Sequence, residues 1–198
     1  ASEISTPLEG GALAAFNVRD AAGYAGEYKC NLFAFALARR AGFQVPLTGR
    51  RHGWGFPEPN GVTADAADGR LRRDWARVVT GEDATSLDAA TRDGSRAFML
   101  TGAGSGTRSG HMAVVERVHS VRYGPDGEVS QIVFDGWEAR RTGARRLQRR
   151  TWNRLGTHGG GDARGGFSRI EILELLAPRA GRAERPLGAR VGPSLRDG

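Results

Sequence analysis

Apolar residues recur along the chain with two spacings, which predict helices in the first half and strands in the second. In the segment 29–41, Phe33, Leu37 and Ala41 follow one another at intervals of four, the spacing of a helix face. Gly42 is a typical helix stop. We therefore expect a helix over residues 29–41 with one apolar side.

The stretch that follows is less regular. Residues 47–68 are rich in glycine and proline, which predicts a loop long enough to be functional. Leu71, Trp75 and Val79 have helical spacing and predict a short helix over 71–79. Another helix is expected to begin near Thr85.

Apolar segments in the rest of the chain predict strands. They span residues 97–101, 112–123, 129–135, 147–155 and 167–176. Helices first and then an antiparallel sheet indicate an α+β fold, with the strands packed on the helix over 29–41. We expect one domain over residues 1–177, and a flexible basic tail over 178–198 where arginine, glycine and proline dominate.

The composition narrows the classes of partner. The net charge is +7 and is carried by 28 arginines and one lysine. This balance favours polyanions such as nucleic acid, anionic membranes or cell-wall polymers, but it equally fits a compositional habit of the source genome. No apolar run approaches the roughly 20 residues that cross a bilayer. The first residues, ASEISTPLEG, lack the charged and apolar regions of a signal peptide.

The single cysteine, Cys30, excludes an internal disulfide and a multi-cysteine metal site. It stands at the predicted helix start beside Lys29 and ahead of the apolar side of the helix. Free amide groups and the positive end of the helix dipole stabilise a thiolate there, and they can also hold the oxyanion of a tetrahedral intermediate. A buried structural cysteine is the alternative interpretation.

The segment from Cys30 to Pro46 resembles the nucleophile helix of the NlpC/P60 and CHAP cysteine peptidases. Those families place an apolar residue, a glycine and often a proline behind the nucleophile, where Phe33, Gly42 and Pro46 stand here. The resemblance covers about residues 24–46 and 97–144. It implies a papain-like fold, with the nucleophile helix packed on an antiparallel β-sheet and an insertion over about residues 47–90.

A cysteine nucleophile needs a base within hydrogen-bond reach, and the sequence has four histidines. His52 and His158 lie in glycine-rich segments, and His119 lies well along a predicted strand. His111 follows Gly110 and opens a strand of alternating apolar residues, as the catalytic histidine does in the families named above. We therefore predict His111 as the base.

The base needs an acceptor that orients it, and two acidic residues after the next strand are candidates. The turn Gly124–Gly127 predicts that Tyr123 pairs with Val129. Asp135 then pairs with Arg117, far from His111, which favours a cross-strand ion pair there.

Glu138 is the other candidate, and it falls much closer to His111 than Asp135 does, but on the wrong face unless a bulge at Gly136 reverses the parity. The family pattern also favours Glu138. We therefore predict Glu138 as the third residue, with Asp135 as the alternative and Glu116 as a more distant one. Candidate substrate contacts are aromatic: Tyr24, Tyr28, Trp54 and Trp137.

The resemblance implies a cysteine hydrolase that cleaves an amide bond of peptidoglycan, in the stem peptide or between muramic acid and alanine. No cofactor is expected, and no spacing of His, Asp and Glu indicates a metal site. The expected location is the cell wall or periplasm, reached as a mature form, a fragment or an injected antibacterial effector with its own inhibitor protein. One alternative is a non-enzymatic arginine-rich protein that binds nucleic acid or wall polyanions, although we expect nucleic acid less. The other is an acyl or amine transferase with the same Cys–His pair.

Overall fold

The protein is a mixed α/β structure built on a seven-stranded sheet. The computed structural model describes residues 30–46, 57–105, 110–140, 143–155 and 166–177. The helices in these ranges are α1 (Cys30–Arg40), α2 (Pro59–Ala67) and α3 (Ala84–Arg92). The strands are β1 (Ala76–Val78), β2 (Ala97–Ala103), β3 (His111–Tyr123), β4 (Val129–Arg140), β5 (Gly143–Arg154), β6 (Gly166–Phe167) and β7 (Arg169–Leu175).

The sheet curls back on itself. Its strand order is β1-β7-β2-β3-β4-β5-β6, and its neighbours are antiparallel except for β5 and β6. The chain passes from β6 through Ser168 directly into β7, although β6 is an edge strand and β7 lies beside the opposite edge. The sheet must therefore curve into a partly closed barrel, which gives it an inner and an outer face.

A hydrophobic core lies on each face. The outer core packs α1 and α2 against the sheet, and its members include Phe33, Leu37, Val62, Met112 and Val114. The inner core includes the buried side of α3, and its members include Leu87, Ala113, Val115, Phe134 and Trp152. Alternate residues of β3 thus face alternate cores, as the pleat of a strand requires.

The helix over 29–41 is confirmed as α1 for the residues that the structure describes. It ends at Gly42, which has a φ of +87° and whose successor Phe43 donates to the carbonyl of Ala38. The helix predicted to begin near Thr85 is confirmed as α3, which Asp83 caps by accepting a hydrogen bond from the Ser86 amide. The five predicted strands correspond to β2, β3, β4, β5 and β6 with β7.

The short helix predicted over 71–79 is wrong. Ala76 to Val78 form β1, which pairs with β7. Trp75 is buried against Phe35, with ring centroids 5.6 Å apart. Pairing with β7 outweighs the helical spacing of a few apolar residues. The sequence pattern does not reveal this pairing because β7 is distant in the sequence.

The loop predicted over 47–68 is wrong for residues 59–67, which form α2, and its earlier part lies outside the described residues. Pro59 occupies the first turn of that helix, where its fixed φ is favourable and no donor is lost. Val62 and Ala66, spaced by four, are buried on the outer core. No helix among the described residues is long and apolar enough to cross a membrane.

Candidate active site

Cys30 is the first described residue of α1 and is 3% exposed. Phe33 and Leu37 anchor α1 in the outer core beside β3 and β4. Asn31 donates from Nδ2 to the carbonyl of Pro57 over 3.1 Å, which ties this end of the helix to the segment before α2. The helix thus holds the thiol over the β3 and β4 side of the sheet, and Lys29 lies outside the described residues.

His111 is the first residue of β3, so it lies at an open end of the sheet. Its side chain is largely buried, and its ring lies against the inner-core Trp152 with centroids 5.7 Å apart. A side chain at the preceding Gly110 would place Cβ 2.5 Å from Oδ1 of Asn60 and 2.6 Å from the carbonyl oxygen of Gly102. Close packing therefore requires glycine at the position before His111.

The imidazole of His111 contacts two of the groups predicted to work with it. It lies close enough to the Cys30 side chain to interact with it electrostatically, and its Nε2 donates to Oε2 of Glu138 over 2.9 Å. Because Nε2 is engaged by the carboxylate, Nδ1 is the nitrogen left for the thiol. Cys30, His111 and Glu138 thus form one cluster from three separate elements.

This cluster favours a protonated imidazole. Burial, the largest influence, opposes the charge on His111, but the hydrogen bonds and negative charges of Cys30 and Glu138 outweigh it and raise the pKa of His111 to about 9. A positively charged imidazole beside a cysteine is the kind of environment that supports a nucleophilic sulfur.

Glu138 reaches this cluster because of a bulge. Val115 pairs with Gly136, but Arg117 pairs with Asp135, so Glu116 is an extra residue on β3. The extra residue brings Glu138 to the same face as His111, which is the parity reversal that the sequence required. It lies on β3, however, rather than at Gly136. A side chain at Gly136 would place Cβ 2.1 Å from the Val114 carbonyl oxygen, so only glycine fits beside the bulge.

Glu138 is 0% exposed and its other oxygen has a cationic partner that the sequence analysis missed. Arg145, directly across on β5, donates to Oε1 from Nε over 2.9 Å and from Nη2 over 2.6 Å. The short connection between β4 and β5 was the available signal, since a hairpin places residues on either side of it opposite each other.

Asp135, the alternative third residue, belongs to a different cluster. Its Oδ1 lies 2.9 Å from Nε2 of His119 and accepts from the Arg149 amide over 2.6 Å. The pairing of Asp135 with Arg117 is confirmed, but the ion pair predicted between them is wrong, because Arg117 binds Asp88 over 2.9 Å instead. Asp135 therefore does not contact His111, and Glu138 does.

Of the four aromatic residues predicted to contact the substrate, the structure describes only Trp137. Tyr24, Tyr28 and Trp54 lie outside the described residues. Trp137 is 5% exposed in the outer core, and its Nε1 donates to Oε1 of Glu116 over 2.7 Å. Trp137 therefore has almost no surface on which to bind a substrate, and Glu116 supports that tryptophan rather than His111.

The described cluster has the groups of nucleophilic catalysis: a thiol, an imidazole that contacts it and a buried carboxylate that orients the imidazole. Among the described residues, no group of three or more His, Cys, Asp and Glu side chains is arranged to hold a metal ion.

A comparison with known proteins finds no matching family model, no matching curated protein and no matching solved structure.

Proposed function

We propose that this protein is a papain-like cysteine hydrolase that cleaves an amide bond of peptidoglycan. The observation that carries the proposal is the meeting of Cys30, His111 and Glu138 in one buried cluster. The reaction class rests on that geometry. The substrate rests on the resemblance of the Cys30 helix and the Gly-His strand to the NlpC/P60 and CHAP families.

The proposed reaction has two halves. The Cys30 thiolate attacks the amide carbon, and the oxyanion that forms is held by amide groups in the first turn of α1. The His111 imidazolium then protonates the leaving nitrogen, the C–N bond breaks, and a thioester remains on Cys30. Neutral His111 next takes a proton from water, which attacks the thioester; the C–S bond breaks, a carboxylic acid is released, and the Cys30 thiolate and protonated His111 are restored. Glu138 holds the imidazole in position through both halves.

The charge distribution weighs against the non-enzymatic alternative. Arg96, Arg117 and Arg154 each bind carboxylates of this chain, as do many other described arginines. Arginines engaged in this way have less charge to offer a polyanion. The proposed site of action is the cell wall. The same proposal includes delivery as an injected effector and a partner protein that inhibits the enzyme.

Digestion of purified sacculi tests the proposal. Wild type should release soluble fragments under reducing conditions, and Cys30→Ala should release none, because the mutant cannot form the thioester. Mass spectrometry of the fragments would identify the bond that is cleaved. The proposal fails if the wild type releases nothing, or if Cys30→Ala releases fragments at the wild-type rate.

A further inference from the structure

Each oxygen of the buried Glu138 carboxylate has a different partner among the described residues. Oε2 accepts from His111 and Oε1 accepts twice from Arg145, through Nε and Nη2. A fully buried carboxylate without a fixed cation tends to take up a proton, and it then no longer stabilises an imidazolium. The state of Glu138 therefore depends on Arg145 as well as on His111.

The guanidinium of Arg145 is well placed to fix this carboxylate. Glu138 and Arg145 are directly paired across β4 and β5, so their separation is set by the backbone. Two donors from one planar group to one oxygen restrict the rotation of the carboxylate, which a single flexible ammonium does less well. Arg145 itself is half-exposed, so its charge costs little to keep.

We propose that Arg145 is a positioning residue, which holds Glu138 in the orientation and charge state that align His111 with Cys30. This inference rests on the proposed function for its catalytic meaning. The claim that Arg145 positions Glu138 can be tested apart from the proposed function, because the reactivity of Cys30 can be measured without any substrate.

The adjacent Arg146 provides a matched control. It is also half-exposed, and its Nε donates to Oε2 of Glu116 over 3.0 Å. Glu116 in turn holds the Trp137 indole on the outer core. Arg146→Gln thus removes an arginine–carboxylate pair between β5 and β3, and neither partner of that pair contacts Cys30, His111 or Glu138 in the described hydrogen bonds.

The test is the rate at which iodoacetamide alkylates Cys30 in the folded protein from pH 6 to 10. Arg145→Gln should lower the rate at pH 7 about tenfold, the effect of losing a charge-assisted hydrogen bond, and should move the pH profile. Arg145→Lys, which keeps the charge but not the fork, should recover part of the rate. Arg146→Gln should match wild type in both rate and profile.

Other outcomes overturn the inference. It is wrong if Arg145→Gln alkylates like wild type at every pH, or if Arg146→Gln is slowed equally. If Arg145→Gln does not fold, as judged by circular dichroism, the lysine variant decides: alkylation at the wild-type rate and profile would refute the role. Failure of wild type on sacculi, with the Arg145 effect on alkylation intact, would instead refute only the proposed function.

Discussion

The hairpin of β3 and β4 carries two histidine–carboxylate pairs with the same N···O distance, but only that of His111 has hydrogen-bond geometry. Nε2 of His111 lies 2.9 Å from Glu138, and Nε2 of His119 lies 2.9 Å from Asp135. The carboxylates differ, because Glu138 is 0% exposed whereas the Asp135 side chain is 25% exposed. The imidazoles differ more, since that of His111 also contacts a thiol.

The surroundings explain why only one pair is a candidate site. Burial tends to raise the pKa of Asp135, but the hydrogen bond from the Arg149 amide and the proximity of His119 and Arg117 lower it below its usual value. No cysteine accompanies that pair, because the single cysteine of the chain, Cys30, lies beside His111. The pKa of His111 is raised by a carboxylate and a thiol together. A histidine–carboxylate pair alone is therefore not evidence of an active site, and the neighbouring cysteine is what distinguishes the candidate site.

The largest expected difference between the pairs is in the histidines. His111→Gln should reduce fragment release from sacculi about 10³-fold, because general acid–base catalysis of that order is lost. His119→Gln should stay within about twofold of wild type, since the residue touches none of the reacting groups. Initial rates with purified sacculi measure both. Equal losses in the two variants would remove the distinction between the pairs.

The carboxylates should differ by a smaller factor. Glu138→Gln keeps the shape of the side chain but not its charge, so it should slow fragment release about 100-fold and lower the pKa of His111. Asp135→Asn should leave the rate nearly unchanged. Kinetics on sacculi, with an NMR titration of the His111 ring, measure both effects. A larger loss from Asp135→Asn would make Asp135 the third residue.

The smallest expected effect is on stability. The folded-state pKa of His111 is raised from 6.5 to about 9, so its contribution is complete below pH 6.5 and is lost as the pH rises through about 9. The free energy of unfolding of wild type relative to His111→Gln should fall across that window by on the order of 1–3 kcal/mol.

Urea unfolding at pH 6, 8 and 10 measures this loss. His119→Gln serves as the control, and it should lose stability across the window as wild type does. A wild-type advantage over His111→Gln that stays constant or grows with pH would contradict the raised pKa.

Much of the site could be predicted because its signals are local. Cys30 before an apolar helix face and His111 after a glycine are visible within a few residues, and the turn at Gly124–Gly127 sets the pairing of Tyr123 with Val129. The pairing of Arg117 with Asp135 is also as predicted, but only because two register shifts between Tyr123 and Val118 cancel each other. Local patterns of this kind fail where the structure depends on residues distant in the sequence.

The bulge at Glu116 is such a case. It lies next to a close approach of Gly136 to Val114, and no spacing of apolar residues encodes either feature. The partner of Glu138 was missed for a related reason, since Arg145 is one of many arginines in this sequence and only the β4–β5 register singles it out. Likewise, β1 owes its conformation to pairing with β7 from the far end of the domain.

The most direct test of the central claim is the alkylation rate of the single cysteine at pH 7 in wild type, His111→Gln and His119→Gln. Iodoacetamide suits a thiol that is only 3% exposed because the reagent is small, and equal rates in denaturant would show that the thiols are otherwise equivalent. We predict that Cys30 reacts at least about tenfold more slowly in His111→Gln than in wild type, because the basic group beside the thiol is lost, and at the wild-type rate in His119→Gln. Equal rates in all three folded proteins would contradict the account.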